Sequence, residues 1–297
     1  MVLTVAPEVR DALASGRPVV ALESTVFSPF GLPAPANADA LERCTRAVRA
    51  SGAVPAVTAV LDGKPRVGLE PGEHDRILSG GVKLGERDLP VAIAHSLDVG
   101  VTTVSASLAL ADRAGIRVFA TGGIGGVHRG AASTGDVSAD LGAIAAHPLV
   151  TVCAGAKAFL DIGRTLEHLE MLGVPVLGWR TDDFPMFWCT SSGFAVAHRV
   201  ESEHEVAATL RASADLGIGR GVLLAVPIPP AAALPRAEIE AAITRATAQG
   251  RVGPDETPRV LAAIAAATDG RSVPANLALA EHNAAVAGRV AGSLATS

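Results

Sequence analysis

Residues 149–179, LVTVCAGAKAFLDIGRTLEHLEMLGVPVLGW, decide the fold. Leu149 to Ala154 is an unbroken apolar, partly β-branched run, the composition of a strand covered on both faces. Asp161 to Leu172 then switches to helical period and lines up Ile162, Leu166 and Leu169 on one stripe. Val174 to Trp179 returns to the strand pattern. Strand, crossover helix and strand in this order form the repeating unit of a parallel sheet. The alternation continues outward in both directions. Further strands are predicted at Pro18 to Glu23, Ala56 to Leu61, Arg117 to Thr121 and Gly221 to Pro227. A helix over Ala38 to Ala50 carries Leu41, Cys44 and Val48 on its buried stripe. Asp62-Gly63, between the apolar runs of Val57 to Leu69, signals a hairpin, read as a small antiparallel appendage. Gly253-Pro254 marks a loop, and from Glu238 onward the chain is helical. The expectation is a three-layer α/β/α fold with a largely parallel central sheet, a hairpin appendage and a helical C-terminus. No repeat or Ser/Gly linker divides it, so one domain over residues 1–297 is expected.

Composition narrows the function. Of 297 residues, 49% are hydrophobic and 19% charged, below the usual quarter and ample for a large core. Mean hydropathy is +0.36, yet a spanning helix takes about 18 consecutive apolar residues and no such run exists. Val99 to Ala111 is short and dotted with Thr and Ser, and prolines break Gly221 to Pro235. No signal peptide is visible at the N-terminus. Cys44, Cys153 and Cys189 are odd in number, far apart and free of CxxC spacing, which suggests neither disulfides nor a zinc site and favours a cytoplasmic setting. A formal charge of -5 lacks the basic surplus of nucleic-acid binders. Neither nucleic acid nor membrane is expected as a partner; a small anionic ligand needs only a local pocket.

In parallel α/β sheets ligands gather beyond the carboxyl ends of the strands, and four places there attract attention. Glu23, in Ala21-Leu22-Glu23-Ser24-Thr25, is either a general acid or base or a polar strand end. Thr121 to Gly130, TGGIGGVHRG, clusters glycines beside His128 and Arg129, which favours close approach of an anion over a tight structural loop; it fits neither the dinucleotide nor the Walker pattern. Asp136-Val-Ser138-Ala-Asp140 offers helix capping or two carboxylates for a hard cation such as Mg²⁺ or Mn²⁺. Lys157, following an apolar strand, is either an amine whose pKa desolvation depresses, hence a nucleophile or Schiff-base former, or a lysine that snorkels to solvent. Lys64, Lys83 and Lys157 are the only lysines among 25 basic residues. That scarcity points to a need for primary amines. Lys64 falls in the hairpin turn, and Lys83 is placed to reach a substrate anion. The aromatic run Phe184 to Cys189 reads as core or subunit contact.

The stretches ALESTVFSPFGLPAP, RDLPVAIA, FATGGIGGVHRG, TGDVSADL, VCAGAKAFLDIGRTLEHLEMLGVPVLGW, VPIP, TPRVLAAIAA and ANLALAEHNAA, in this order over nearly the whole chain, resemble the pseudouridine-5'-phosphate glycosidases, or indigoidine synthase A family. The resemblance implies reversible cleavage of the C–C glycosidic bond of pseudouridine 5'-phosphate to uracil and ribose 5-phosphate. It implies Glu23 as proton donor, Lys157 as covalent nucleophile and Lys83 as a substrate contact. Val104, Ser138, Ala139 and Asp140 match substrate-binding positions, Asn276 a polar residue near the base, and Asp136 the residue that holds Mn²⁺, with Mg²⁺ or another divalent ion as substitutes. A homotrimer with one ion per subunit is implied. His128 and Arg129 are expected to help anchor the ligand. The chain ends soon after its last helix, so no fused sugar-kinase domain is expected. Two other readings stay open: a class I Schiff-base aldolase or lyase on a sugar phosphate, and a non-catalytic sugar-phosphate binding protein.

Overall fold

The computed structural model describes residues 3–247 and 256–295. Gly253-Pro254 lies outside them. The strands are Thr4–Val5 (β1), Val19–Leu22 (β2), Val54–Leu61 (β3), Lys64–Val67 (β4), Val82–Leu84 (β5), Val99–Thr102 (β6), Val118–Ala120 (β7), Val150–Cys153 (β8), Val176–Trp179 (β9), His198–Val200 (β10) and Val222–Ala225 (β11). The helices are Pro7–Ala14 (α1), Ala36–Ala50 (α2), Pro71–Leu78 (α3), Leu89–Ala94 (α4), Val104–Arg113 (α5), Ala131–Thr134 (α6), Ala139–Ala146 (α7), Ile162–Met171 (α8), Glu203–Asp215 (α9), Arg236–Thr247 (α10), Glu256–Ala267 (α11) and Ser272–Ala295 (α12). Each strand expected from the sequence is present, with each end within two residues of its expected bound.

Seven strands, in the order β3-β2-β7-β8-β11-β9-β10, form the parallel body of the sheet. Its central members VVAL, VTVC and VLLA are buried at every position, as strands covered on both faces must be. α2, α9 and α12 cover one face; α5 and α7 cover the other, with α8 beside α7. The stripe Leu41, Cys44 and Val48 of α2 is buried as expected. On α8, Ile162 and Leu169 are buried while Leu166 packs half-exposed at the margin. Asp161 caps that helix, its carboxylate accepting from the Arg164 N–H at 3.1 Å. α12 crosses α2 closely at Gly288, where a Cβ would stand 2.5 Å from Cβ of Ser51.

The hairpin forms at Asp62-Gly63, but its first strand belongs to the main sheet. Val54 to Val57 pairs parallel with β2, and the continuation Thr58 to Leu61 pairs antiparallel with β4 on one edge and with β6 on the other. β6 therefore takes the place beside β3 that β2 vacates at Leu22, and runs the opposite way. The carboxyl ends of β2 and β6 meet end to end. β5 flanks β6, with Lys83 opposite Val101. Among the described residues no helix is long and apolar enough to cross a membrane.

Candidate active site

The chain leaves β2 at Glu23 and β7 at Thr121, and the register Leu22 to Ala120 sets these two residues side by side. Beyond β7 and β8 the backbones stay zipped: Ala154 N–H donates to Gly122 O at 2.9 Å, Ile124 N–H to Gly155 O at 3.1 Å and Lys157 N–H to Ile124 O at 3.1 Å. This continuation of the ladder carries Lys157 back toward Glu23. A small cavity is lined by Glu23, Thr121, Gly122, Gly123, Lys157, Phe187, Leu261 and Asn276, together with Thr25 and Phe30 from the loop after β2.

Glu23 is only 7% exposed, and its Oε1 accepts a hydrogen bond from the Thr121 hydroxyl. Its pKa is pushed up to about 7. Burial is the main cause and the nearby Asp140 charge adds to it, while Lys157, the Thr121 hydrogen bond and Lys83 offset part of the rise. A carboxyl poised at neutrality can give or take a proton. Below it, the end-to-end meeting of β2 and β6 is sealed by hydroxyls. Thr102 N–H donates to Ser24 Oγ at 2.8 Å, Thr58 Oγ1 lies 2.9 Å from Thr102 Oγ1 and 2.9 Å from Ser107 Oγ, and Thr25 N–H donates to Thr102 O at 3.1 Å. Buried polar groups satisfied in this way hold one arrangement.

Lys157 and Lys83 are both half-buried and both act on Glu23 electrostatically. Val104 is buried as the first residue of α5. Asn276, on α12, is 5% exposed, and its Oδ1 is buried with no hydrogen-bond partner. That oxygen lies 3.6 Å from where a Cβ on Gly122 would stand, at the cavity wall.

The segment from Asp136 to Asp140 divides its roles. Ser138 caps α7, its Oγ accepting from the Asp140 N–H at 3.2 Å, and Ala139 is exposed. Asp140 is buried and both its oxygens are engaged by backbone: Gly125 N–H at 2.8 Å and Ser105 N–H at 3.2 Å. It ties the glycine loop to the first turn of α5 and adds negative charge near Glu23. Asp136 is half-exposed, its Oδ2 lying 3.7 Å from His128 Nδ1. His128 also packs on Phe159, while Arg129 is exposed. Among the described residues no three His, Cys, Asp or Glu side chains gather as a metal cage. One carboxylate beside an imidazole fits a hard divalent ion that keeps several of its waters.

The glycine loop serves packing as well as the cavity, which Gly122 and Gly123 line. Thr121 to Val127 are all buried, and the protein itself crowds the glycines. A Cβ on Gly123 would stand 2.5 Å from the Phe187 ring, on Gly125 2.2 Å from Ser138 Oγ and on Gly126 2.4 Å from Thr165 Oγ1. At these three positions packing by itself already excludes a side chain. Two contributors escaped sequence reasoning. In the sequence Thr121 is legible only as the start of that loop. Phe187 lies in the aromatic run read as core; it is core, yet its ring also walls the cavity, and its backbone sits at a left-handed φ of 53°, a strained conformation for a bulky side chain. A larger groove lined by α8 and residues 194–198 shares none of the cavity's residues.

The profile of the family described as "Indigoidine synthase A like protein" matches residues 8–293. A pseudouridine-5'-phosphate glycosidase of Methylobacterium nodulans is 48% identical, the match covering 98% of this chain and 88% of that protein. The corresponding protein of Hahella chejuensis is 45% identical over 98% of both chains. Among solved structures, the prealnumycin C-glycosynthase AlnA in complex with ribulose 5-phosphate superposes with a TM-score of 0.92 at 37% identity, covering 100% of this chain and 98% of that one. An indigoidine synthase A-like protein of Thermotoga maritima gives 0.91 at 34% identity, covering 99% and 97%. This chain is an enzyme of the indigoidine synthase A-like family.

Proposed function

We propose that this enzyme makes and breaks C-glycosidic bonds of a sugar phosphate, and specifically that it interconverts pseudouridine 5'-phosphate with uracil and ribose 5-phosphate through an imine on Lys157. The observation that carries the reading is the shared cavity of Glu23 and Lys157, an acid with a pKa of about 7 facing a primary amine. The names of the relatives, and the sugar phosphate bound to a C-glycosynthase of the same fold, support it.

A carbon–carbon bond has no leaving oxygen to protonate, so a pair of carboxylates working as in ordinary glycosidases is a poor template. Glu23 gives its proton to the ribose ring oxygen as the C1'–O4' bond opens and its electron pair passes to that oxygen. The lone pair of Lys157 Nζ forms a bond to C1', and the proton lost from nitrogen returns to the Glu23 carboxylate. The C1'–C5 bond then breaks, its pair leaving with C5 of uracil, which takes the proton that Glu23 regained, while the nitrogen lone pair forms the protonated C1'=N imine. Water adds to C1', the lysine amine departs neutral, the proton released returns to the Glu23 carboxylate, and ribose 5-phosphate is released. Asn276, with its unpartnered buried oxygen, accepts an N–H of the base. Lys83 supplies charge for the anionic ligand, and Val104 lies where α5 begins beside it. Asp136, with His128 beside it, would hold Mn²⁺, which when bound supplies positive charge toward an anion. A homotrimer in a reducing cytoplasm belongs to the same reading, in keeping with three buried, unbridged cysteines.

The test is incubation of the purified protein with ribose 5-phosphate, uracil and Mn²⁺, following product mass and loss of free uracil. A C-linked nucleotide that vanishes in Lys157→Ala is the expected result. A product lacking uracil would replace this reading with an aldolase. Tight ligand binding without turnover, unchanged in Lys157→Ala, would replace it with a binding protein.

A further inference from the structure

We propose that Thr121 is a positioning residue whose hydroxyl occupies Oε1 of Glu23 and thereby leaves Oε2 as the oxygen that carries the transferable proton. The proposal rests on the reading of Glu23 as the acid. Thr121 and Glu23 emerge from neighbouring parallel strands in matched register, so their side chains meet without help from a flexible loop. Both are buried, at 5% and 7% exposure. A hydroxyl that donates to Oε1 gives the two oxygens of this buried carboxyl different roles.

The Thr121 backbone is itself clamped. Its N–H donates to Val152 O at 3.0 Å, and its carbonyl accepts from Asn283 Nδ2 at 2.8 Å, the same amide nitrogen lying 3.2 Å from Gly122 O. Asn283 projects from α12 and is 1% exposed. The β-branch of threonine restricts χ1, so a fixed backbone implies a fixed hydroxyl. Burial and Asp140 push Glu23 toward its protonated form; Lys157, Lys83 and the Thr121 hydroxyl pull the other way. Of these, the hydroxyl is the one that bonds to a single oxygen. Thr121 therefore both orients the acid and keeps it able to ionise near neutrality.

The test compares Thr121→Val, close in shape but lacking the hydroxyl, with Thr121→Ser, which keeps it. Two readouts are taken. The first is the pH dependence of kcat/KM on pseudouridine 5'-phosphate, in which activity falls as Glu23 loses its proton. The second is the titration of ¹³C-labelled glutamate carboxyls, with Glu23 assigned by its absence in Glu23→Gln, which needs no turnover. Thr121→Val is expected to move the Glu23 titration upward by roughly one pH unit and to lower kcat about tenfold; Thr121→Ser is expected to titrate as the wild type. Thr121→Ala serves as a second hydroxyl-free variant should Thr121→Val fold poorly. If the hydroxyl-free variants lose activity while Glu23 titrates at its wild-type position, Thr121 is merely structural and the proposal is overturned. If the wild type fails to turn over pseudouridine 5'-phosphate while the carboxyl titration still shifts, the substrate reading falls and the positioning role stands.

Discussion

Replacing Glu23 with glutamine separates what this residue does for chemistry from what it costs the fold. The carboxyl titrates at about 7 in the folded protein against an ordinary 4.5. At 1.36 kcal/mol per pKa unit, the difference amounts to about 3 kcal/mol, and its sign follows from linkage. Below pH 4.5 Glu23 is protonated in both the folded and the unfolded chain, so its ionisation places no burden on the fold. As pH rises from 4.5 to 7 the unfolded chain ionises first, and stability is lost progressively until the folded carboxyl ionises too. Above 7 the full penalty applies. Glutamine, neutral and of the same shape, never incurs it. Glu23→Gln is therefore expected to be about as stable as the wild type at pH 4.5 and more stable by about 3 kcal/mol at pH 8, while losing turnover. Thermal melting of both proteins across that range is the assay, with a Tm gap of roughly 5 °C expected at the alkaline end. A gap that stays constant with pH, or one that favours the wild type above pH 7, would refute the assignment of a raised pKa to burial. In kinetics the same titration appears as a loss of kcat/KM above about pH 7.

Lys157→Ala is expected to abolish turnover and also the mass adduct that borohydride reduction leaves on the wild-type protein incubated with ribose 5-phosphate; an adduct of equal yield in the variant would remove Lys157 as nucleophile. Asp136→Ala should weaken the dependence of rate on Mn²⁺ without lowering Tm by more than about 1 °C, because the side chain is half-exposed; an unchanged Mn²⁺ titration would free Asp136 of that role. Gly125→Ala should destabilise by about 2–4 kcal/mol, since its Cβ would meet Ser138 Oγ at 2.2 Å and Asp140 Oδ2 at 2.9 Å; a variant that melts with the wild type would contradict the packing account of the loop.

The parallel body of the sheet was legible because each of its central strands is buried on both faces and so must be spelled in apolar residues, as Val150 to Cys153 and Val222 to Ala225 are. The positions of Glu23 and Lys157 were legible for a related reason: each follows such a run, and carboxyl ends of parallel strands are where ligands bind. What distinguishes β3 was not legible. Its residues Val54 to Leu61 serve β2 with one half and β6 with the other, and no local pattern encodes which partner a strand takes. The three crowded glycines are ambiguous in the sequence for the complementary reason. A glycine needed because Ser138, Thr165 or Phe187 occupies the space is spelled the same way as a glycine needed by a ligand. Thr121 and Phe187 became visible only through contacts with residues distant in sequence, Glu23 for one and Gly123 for the other.

The end-to-end meeting of β2 and β6 explains why the site lies where it does. Had β2 continued alongside β3 past Leu22, Glu23 would be a ladder residue with its neighbours stacked against it. Instead β6 arrives from the opposite direction, its last residue Thr102 bonding Ser24 and Thr25, and both chains must turn away from the sheet. Three consequences follow from that one reversal. The chain leaving β6 enters α5 at once, so Val104 and the Ser105 N–H come to the site, the latter taken by Asp140. β5, paired to β6, brings Lys83 to the same place, while the β7–β8 ladder delivers Lys157 from the other side. Glu23 is left buried between two lysines that approach on separate elements. Such a carboxyl is comfortable when protonated, because burial favours the neutral form, and still able to ionise, because two lysines and one hydroxyl offset part of that burial. An acid that must release a proton and then accept another within one reaction needs both states to be accessible, and the reversal at Leu22 is what gives Glu23 both.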